Sequence, residues 1–232
     1  MVEYLCFDEA INSNNRITLY IKGNLSMYMD NNWNAVQGDE LAGFLEQINP
    51  IGDKYSVNPA TTKVDWRPLP FYDQVALIRV KDPAWTPRNL FIYYLTDQGN
   101  LYWLNGTSPP IHEVNAKAPI KITDENVLDY LRFFCFFVRG EEGPFLIAES
   151  MEDTYVPKEL DDKTRMVIEG TVREATFEGK DDAGNWLCDA VVYYSNALFI
   201  ANFSVQPGGM IEMLDDEPIA ADLPVKIDAP VS

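Results

Sequence analysis

The sequence has few of the side chains that metal centres and nucleophilic enzymes use. Among its 232 residues are one histidine, His112, and three cysteines, Cys6, Cys135 and Cys188. A zinc or iron centre built from several histidines is therefore excluded within one chain, whereas a carboxylate-rich metal site is not. Because the cysteines are odd in number and far apart, they indicate neither a disulfide framework nor a C-x-x-C pair.

The candidate catalytic residues have simpler structural interpretations. Cys135 falls in a predicted helix and Cys188 in a predicted strand, where an unpolarised thiol behaves as a small hydrophobic group. His112 follows Pro109 and Pro110, which predicts a surface loop. The chain also lacks a G-x-S-x-G elbow, a phosphate-binding glycine loop and a G-x-G-x-x-G motif. We therefore predict no catalytic residue, no metal and no cofactor.

Basic residues are scarce, most of all in the second half of the chain. There are 18 lysines and arginines against 36 aspartates and glutamates, which gives a net charge of -18. Residues 1–122 contain 13 acids and 10 bases, a net charge of -3, whereas residues 123–232 contain 23 acids and 8 bases, a net charge of -15. Such a field repels nucleic acid and anionic lipid and can steer a basic protein toward it. We expect neither a nucleic-acid partner nor membrane binding.

Long apolar runs are also missing. The stretch from Phe133 to Val138 is uninterrupted but only six residues long, and a helix needs about 20 apolar residues to span a bilayer. The first residues, "MVEYLCFDEAINSNN", carry acids where a signal peptide would carry bases. We therefore expect a cytoplasmic protein.

The first half of the chain contains mainly strand patterns. Alternating, β-branched and aromatic residues predict strands in "RITLYIKG", "QVALIRV", "NLFIYYLT" and "NLYWLNG", at 16–23, 74–80, 89–96 and 100–106. The last two are separated by Asp97, Gln98 and Gly99, which predicts a hairpin. A short amphipathic helix is predicted at about 39–48, because four apolar residues follow the helical period there.

The stretch "DENVLDYLRFFCFFVR", about 124–139, predicts a central helix. Thr123 can cap its first turn, and Gly140 follows Arg139 as a stop. Its apolar stripe is wider than one sheet usually covers, so we expect the helix to be buried between two layers.

The second half of the chain predicts a separate β region. Residues 151–163, "MEDTYVPKELDDK", are acidic and lack a sustained apolar period, which favours a linker between a 1–150 region and a 164–232 region. Beyond it, "RMVIEGTVREATFEG", "NWLCDAVVYY", "ALFIANFSV" and "GMIEML" predict an antiparallel meander. The tail from Asp215 onward should be extended or frayed. The predicted fold class is α+β, with mainly antiparallel sheet in two β-rich lobes around the buried central helix.

Two stretches of the chain resemble each other. "LFIYYLTDQGNLYWLNGTSPPI" at 90–111 and "LFIANFSVQPGGMIEMLDDEPI" at 198–219 share an LFI start, a glutamine eight residues after the leucine, a turn glycine and a closing Pro-Ile. A duplication would explain the match, but hairpin chemistry alone also selects glycine turns between apolar strands.

Our leading hypothesis is a cytosolic, non-catalytic binding or regulatory protein whose acidic C-terminal half docks a basic protein partner. One alternative is a hydrolase that uses carboxylates without a local motif. Another is a sugar-like small-ligand binder, because the aromatic hairpin 89–105 could supply stacking faces. The candidate binding-surface residues are Glu141, Glu142, Asp161, Asp162, Asp181, Asp182, Tyr93 and Trp103.

Overall fold

A computed structural model describes residue 28 and residues 32–48, 55–86, 90–153 and 155–223. The strand predicted at 16–23 and Cys6 lie outside these residues. Within them the chain is α+β with mostly antiparallel sheets, which confirms the predicted fold class.

The first sheet has five antiparallel strands. In spatial order they are β1 (Asn34–Ala35), β2 (Lys63–Pro68), β3 (Ala76–Lys81), β4 (Ile92–Asp97) and β5 (Asn100–Trp103). Positive φ values at Gln98 and Gly99 form the two-residue turn that joins β4 to β5, as this hairpin geometry requires. The predicted hairpin is therefore confirmed.

A small hairpin and a second sheet follow. The hairpin pairs β6 (Arg139–Gly140) with β7 (Gly143–Pro144). The second sheet is formed by β8 (Leu146–Ile147), β9 (Thr176–Lys180), β10 (Trp186–Tyr194), β11 (Ala197–Val205) and β12 (Ile211–Ala220). Both β8 and β9 pair with β10, then β11 and β12 follow outward, so β12 is an edge strand.

Four helices lie in the described part of the chain: α1 (Gly38–Ile48), α2 (Pro109–Lys117), α3 (Val127–Phe137) and α4 (Asp162–Thr171). α1 is the predicted amphipathic helix, and it buries its apolar side against one face of the first sheet. α3 is the predicted central helix, with eight of its eleven residues buried.

α3 packs between the two sheets, as its wide apolar stripe predicted. On one side the ring of Tyr93 in β4 lies 5.1 Å from that of Phe137 and 6.3 Å from that of Phe136. On the other side Trp186 of β10 donates its indole N–H to Asp124, just before the helix, at 2.8 Å. A single apolar core joins both sheets through α3. The helix begins three residues later than predicted, because residues 124–126 form a turn in which Thr123 N–H donates to the Asn126 side chain.

Two local predictions are wrong. His112 lies in α2 and not in a loop, because Pro109 and Pro110 occupy the first helical positions, where a missing N–H costs nothing. The strand predicted in "RMVIEGTVREATFEG" is helical up to Thr171, because Asp161 caps α4 by accepting the backbone N–H groups of Lys163 and Thr164. Only its end forms β9.

The division into 1–150 and 164–232 with a linker at 151–163 remains a prediction. Within the proposed linker, Asp153, Tyr155 and Val156 are buried. Among the described residues, no helix has the length and apolar character needed to cross a membrane.

Candidate partner-binding surface

Strand β12 is the most exposed regular element of the acidic half. Seven consecutive residues, Glu212 to Pro218, are exposed, although they form a regular strand paired with β11. Ordinary sheet strands bury at least one face. The exposed stretch therefore offers side chains on both faces.

Four of those seven side chains are carboxylates: Glu212, Asp215, Asp216 and Glu217. The register shifts between Asn202 and Phe203 of β11, so Leu214 is an extra residue in β12. Because of this bulge, Glu212 and Asp215 fall on the same face of the sheet, opposite Ser204 and Asn202. Glu217, opposite Ile200, lies on that face too. Without the bulge, the two-residue side-chain period would place Glu212 and Asp215 on opposite faces.

Unlike several other acids of the protein, the β12 carboxylates have no cationic partner among the described residues. Asp65 pairs with Arg79 at 2.9 Å, Glu149 with Arg132 at 2.7 Å and Asp124 with Lys180 at 2.8 Å. Within the described residues, no lysine or arginine nitrogen lies within ion-pair distance of Glu212, Asp215, Asp216 or Glu217. Their charge is therefore available to a partner.

Apolar side chains accompany these charges. Met213 and Leu214 are 39% and 53% exposed, and Met210 at the preceding turn is exposed as well. Helix α4 lies against β12, and Met166 and Val167 on that helix are exposed. A surface of this kind, with apolar contacts beside charges, is typical of protein interfaces.

The simplest alternative explanation is that β12 is a guarded edge. Charged residues, bulges and proline protect edge strands against pairing with other copies of the chain. β12 has four carboxylates, two register shifts and Pro218. Of these features, only the carboxylates discriminate by charge: they repel an identical acidic edge but not a basic partner.

The predicted surface residues lie outside β12, in two turns, at the start of α4 and in two strands. Glu141 and Glu142 are exposed between β6 and β7. This hairpin is held to β10, since Glu142 N–H donates to the Tyr194 hydroxyl at 2.9 Å and the Phe145 ring stacks on that of Tyr194 at 4.4 Å. Glu141 and Glu142 are therefore accessible, on a hairpin that is attached to β10.

The two aspartate pairs have local structural roles. Asp161 caps α4, and hydrogen bonds from Thr164 lower the pKa of its carboxyl group. Asp181 lies in the turn between β9 and β10, where hydrogen bonds from Asn185 lower the pKa of its carboxyl group. Asp162 and Asp182, beside them, are exposed. Asp161 and Asp181 therefore have structural roles, as a helix cap and in a turn.

The aromatic hairpin offers little ring surface. Tyr93 is 1% exposed, and its hydroxyl donates to the Tyr28 carbonyl at 3.0 Å. Tyr94 and Tyr102 are buried too, whereas Trp103 is 38% exposed. The prediction that Tyr93 lies on the surface is therefore wrong, because α3 covers its side of the first sheet.

Two partly buried carboxylates form an ionic cluster around Arg132. Its guanidinium contacts Glu149 at 2.7 Å and Asp129 at 3.1 Å. Burial opposes the charge on Arg132, but the Glu149 carboxylate holds its pKa above the usual value. Nearby, Asp153 accepts the Tyr155 hydroxyl at 3.0 Å. The adjoining recess, lined in part by Arg132 and Tyr155, has room for roughly one water molecule. The cluster therefore ties α3 to the second sheet.

The two thiols that the structure describes are buried, and the histidine packs against an aromatic ring. Burial raises the pKa of both Cys135 and Cys188 to about 12, so neither is a ready nucleophile. His112 packs against Phe134, with the ring centres 5.8 Å apart. In the described part of the chain, no group of three or more histidine, cysteine, aspartate or glutamate side chains could hold a metal ion.

Comparison of the chain with protein-family models, with curated proteins and with solved structures finds no match in any of the three.

The sequence pattern did not indicate the β12 carboxylates as a site, because the residues from Asp215 onward predict an extended or frayed tail. One signal was present: Glu212, Asp215, Asp216 and Glu217 occur with no base between Met210 and Ala220. Their alignment on one strand depends on the pairing with β11, which the local pattern does not contain.

Proposed function

We propose that this chain is a non-catalytic binding or regulatory protein of the cytoplasm, and that β12 docks a basic protein partner. The observation that carries the proposal is the set of four exposed carboxylates on β12, none with a cation beside it among the described residues. The cytoplasmic location rests on the few and widely spaced cysteines.

Two physical effects support such docking. The net charge of -15 over residues 123–232 attracts a basic protein over a distance of about 8–10 Å at ordinary salt, which speeds encounter. Met213 and Leu214 then supply apolar area, which holds the complex once the charges have brought the surfaces together. The charges select the partner, and the apolar contacts slow its release.

A charge-neutral variant of β12 tests the proposal by affinity capture at low and then moderate salt. The variant replaces the four carboxylates by their amides: Glu212→Gln, Asp215→Asn, Asp216→Asn and Glu217→Gln. A matched control removes the same charge from exposed acids elsewhere in the acidic half: Glu152→Gln, Glu159→Gln, Glu174→Gln and Glu178→Gln.

We expect a basic protein to be retained by the original chain and by the control, to be lost from the β12 variant, and to be released by moderate salt. Three results would contradict the proposal. They are an empty capture, a partner that is indifferent to salt, and equal retention by the β12 variant.

A further inference from the structure

We infer that β12 accepts its partner as an added strand, an extended segment with basic side chains on one face and apolar side chains on the other. This inference rests on the proposed function and adds how the partner is held. It is an example of strand addition at a sheet edge, where main-chain hydrogen bonds give affinity and alternate side chains give specificity.

The first support is that one edge of β12 has no strand paired with it among the described residues. Among the described residues, β12 pairs with β11 alone, at the end of the strand order. The backbone N–H and C=O groups on its other side point away from the sheet. Such an edge is a ready template for another extended chain.

The second support is how the charges are distributed between the faces. Glu212, Asp215 and Glu217 lie on one face, whereas Met213 and Asp216 lie on the other. An added strand alternates its own side chains with the same period of two. Lysine or arginine at alternate positions would therefore lie next to the three carboxylates, with an apolar residue near Met213.

The third support concerns which occupant is selected. A second copy of this chain would place its own carboxylates beside those of β12, and like charges directly opposite are destabilising. A basic strand gains attraction at the same positions. Pro218 has no backbone N–H, so the added strand should pair over Ile211–Glu217, about six or seven residues.

A synthetic peptide of eight residues that alternates lysine with valine, blocked at both ends, probes this mode on the full-length protein. The control peptide has the same sequence with alternate backbone nitrogens methylated, which retains the charge but removes N–H donors from one edge. A second control methylates the complementary nitrogens. Binding is measured by titration, and amide hydrogen exchange of β12 is followed by NMR.

We expect at least one methylated peptide to bind about tenfold or more weakly than the unmodified one, because main-chain hydrogen bonds carry the affinity of strand addition. Outward-facing amides of β12 should exchange more slowly in the complex, and the β12 charge variant should bind weakly. Equal binding of all three peptides with unchanged exchange would overturn strand addition while leaving charge-based docking intact. No binding of the unmodified peptide would overturn strand addition too, and protein capture would then decide docking separately.

Discussion

The two hairpins that resemble each other in sequence have the same relation to α3 but different surroundings. Tyr93 and Leu95 of β4 correspond to Ala201 and Phe203 of β11, and all four are buried in the core around α3. On the other face, Tyr94 of β4 is buried beneath α1, whereas the corresponding Asn202 is exposed. The similar sequence thus specifies burial of the inner face, which packs toward α3. Burial of the outer face, which points away from α3, depends on whether an additional helix covers it.

This difference explains why β4 is buried on both faces whereas β11 is exposed at Asn202. With α1 packed on it, all six residues of β4 are buried. The second sheet is covered on its outer side only in part, where Tyr155 contacts Tyr193 and Arg173 pairs with Asp189. β12 lies beyond this cover. Whether the two hairpins descend from a duplication remains a prediction.

The largest expected effect on stability comes from a substitution in α3, the helix against which both hairpins pack. Phe137→Ala deletes a buried ring of α3 that contacts Tyr93, so unfolding in urea should require about 3–5 kcal/mol less free energy. Met213→Ala, on exposed β12, should change stability by no more than about 0.5 kcal/mol. A loss below about 1 kcal/mol for Phe137→Ala would mean that α3 is not the common core.

Exchanging the outer-face residues of the two hairpins should destabilise the protein at the first hairpin only. Tyr94→Asn removes a buried ring beneath α1 and should cost about 3 kcal/mol in the free energy of unfolding. Asn202→Tyr, at the exposed counterpart, should stay within about 0.5 kcal/mol. Both are measured by denaturant unfolding; equal losses would refute the role given to α1.

The turn of the second hairpin gives a smaller effect with a neighbouring control. Gly209 has a φ of 82°, and a Cβ there would lie 2.4 Å from the Asn115 amide nitrogen and 2.6 Å from the Tyr130 hydroxyl. Gly209→Ala should therefore cost about 2 kcal/mol in thermal or chemical unfolding. At Gly208 a Cβ meets nothing within 4 Å, so Gly208→Ala should be nearly neutral. Similar losses at both sites would contradict the docking of this turn on α2 and α3.

The smallest effect concerns α2, which contacts both hairpins. Lys117 donates to Tyr102 at 3.2 Å, and Asn115 donates to the Gly208 carbonyl at 3.3 Å. Burial lowers the pKa of His112 on this helix below its usual value of 6.5. The unfolded chain then binds the proton more readily, so the contribution of His112 is present above about pH 6.5 and is lost as the pH falls through the lower folded pKa.

We therefore expect the melting temperature to fall slightly between pH 7 and 5, and His112→Gln to flatten part of that slope. An unchanged slope in the variant would show that His112 does not contribute.

Much of the architecture could be predicted locally. The helical period of Leu41 to Ile48, the wide stripe of α3 and the Gln98–Gly99 turn each specify one element, and each is confirmed. α4 was missed because the β-branched residues around Val167 favour a strand, while the cap at Asp161 favours a helix. The Tyr93 prediction failed because the sequence pattern of an aromatic strand is the same whether or not a helix packs on the strand.

The sequence by itself determined the fold class, the central helix, the hairpins and the location of the charge, because period, turn residues and charge are properties of neighbouring residues. Only the tertiary structure decided which hairpin face is covered, that a bulge at Leu214 aligns Glu212 with Asp215, and that no described cation pairs with them. Burial and register depend on contacts between segments far apart in the chain, which no local pattern contains.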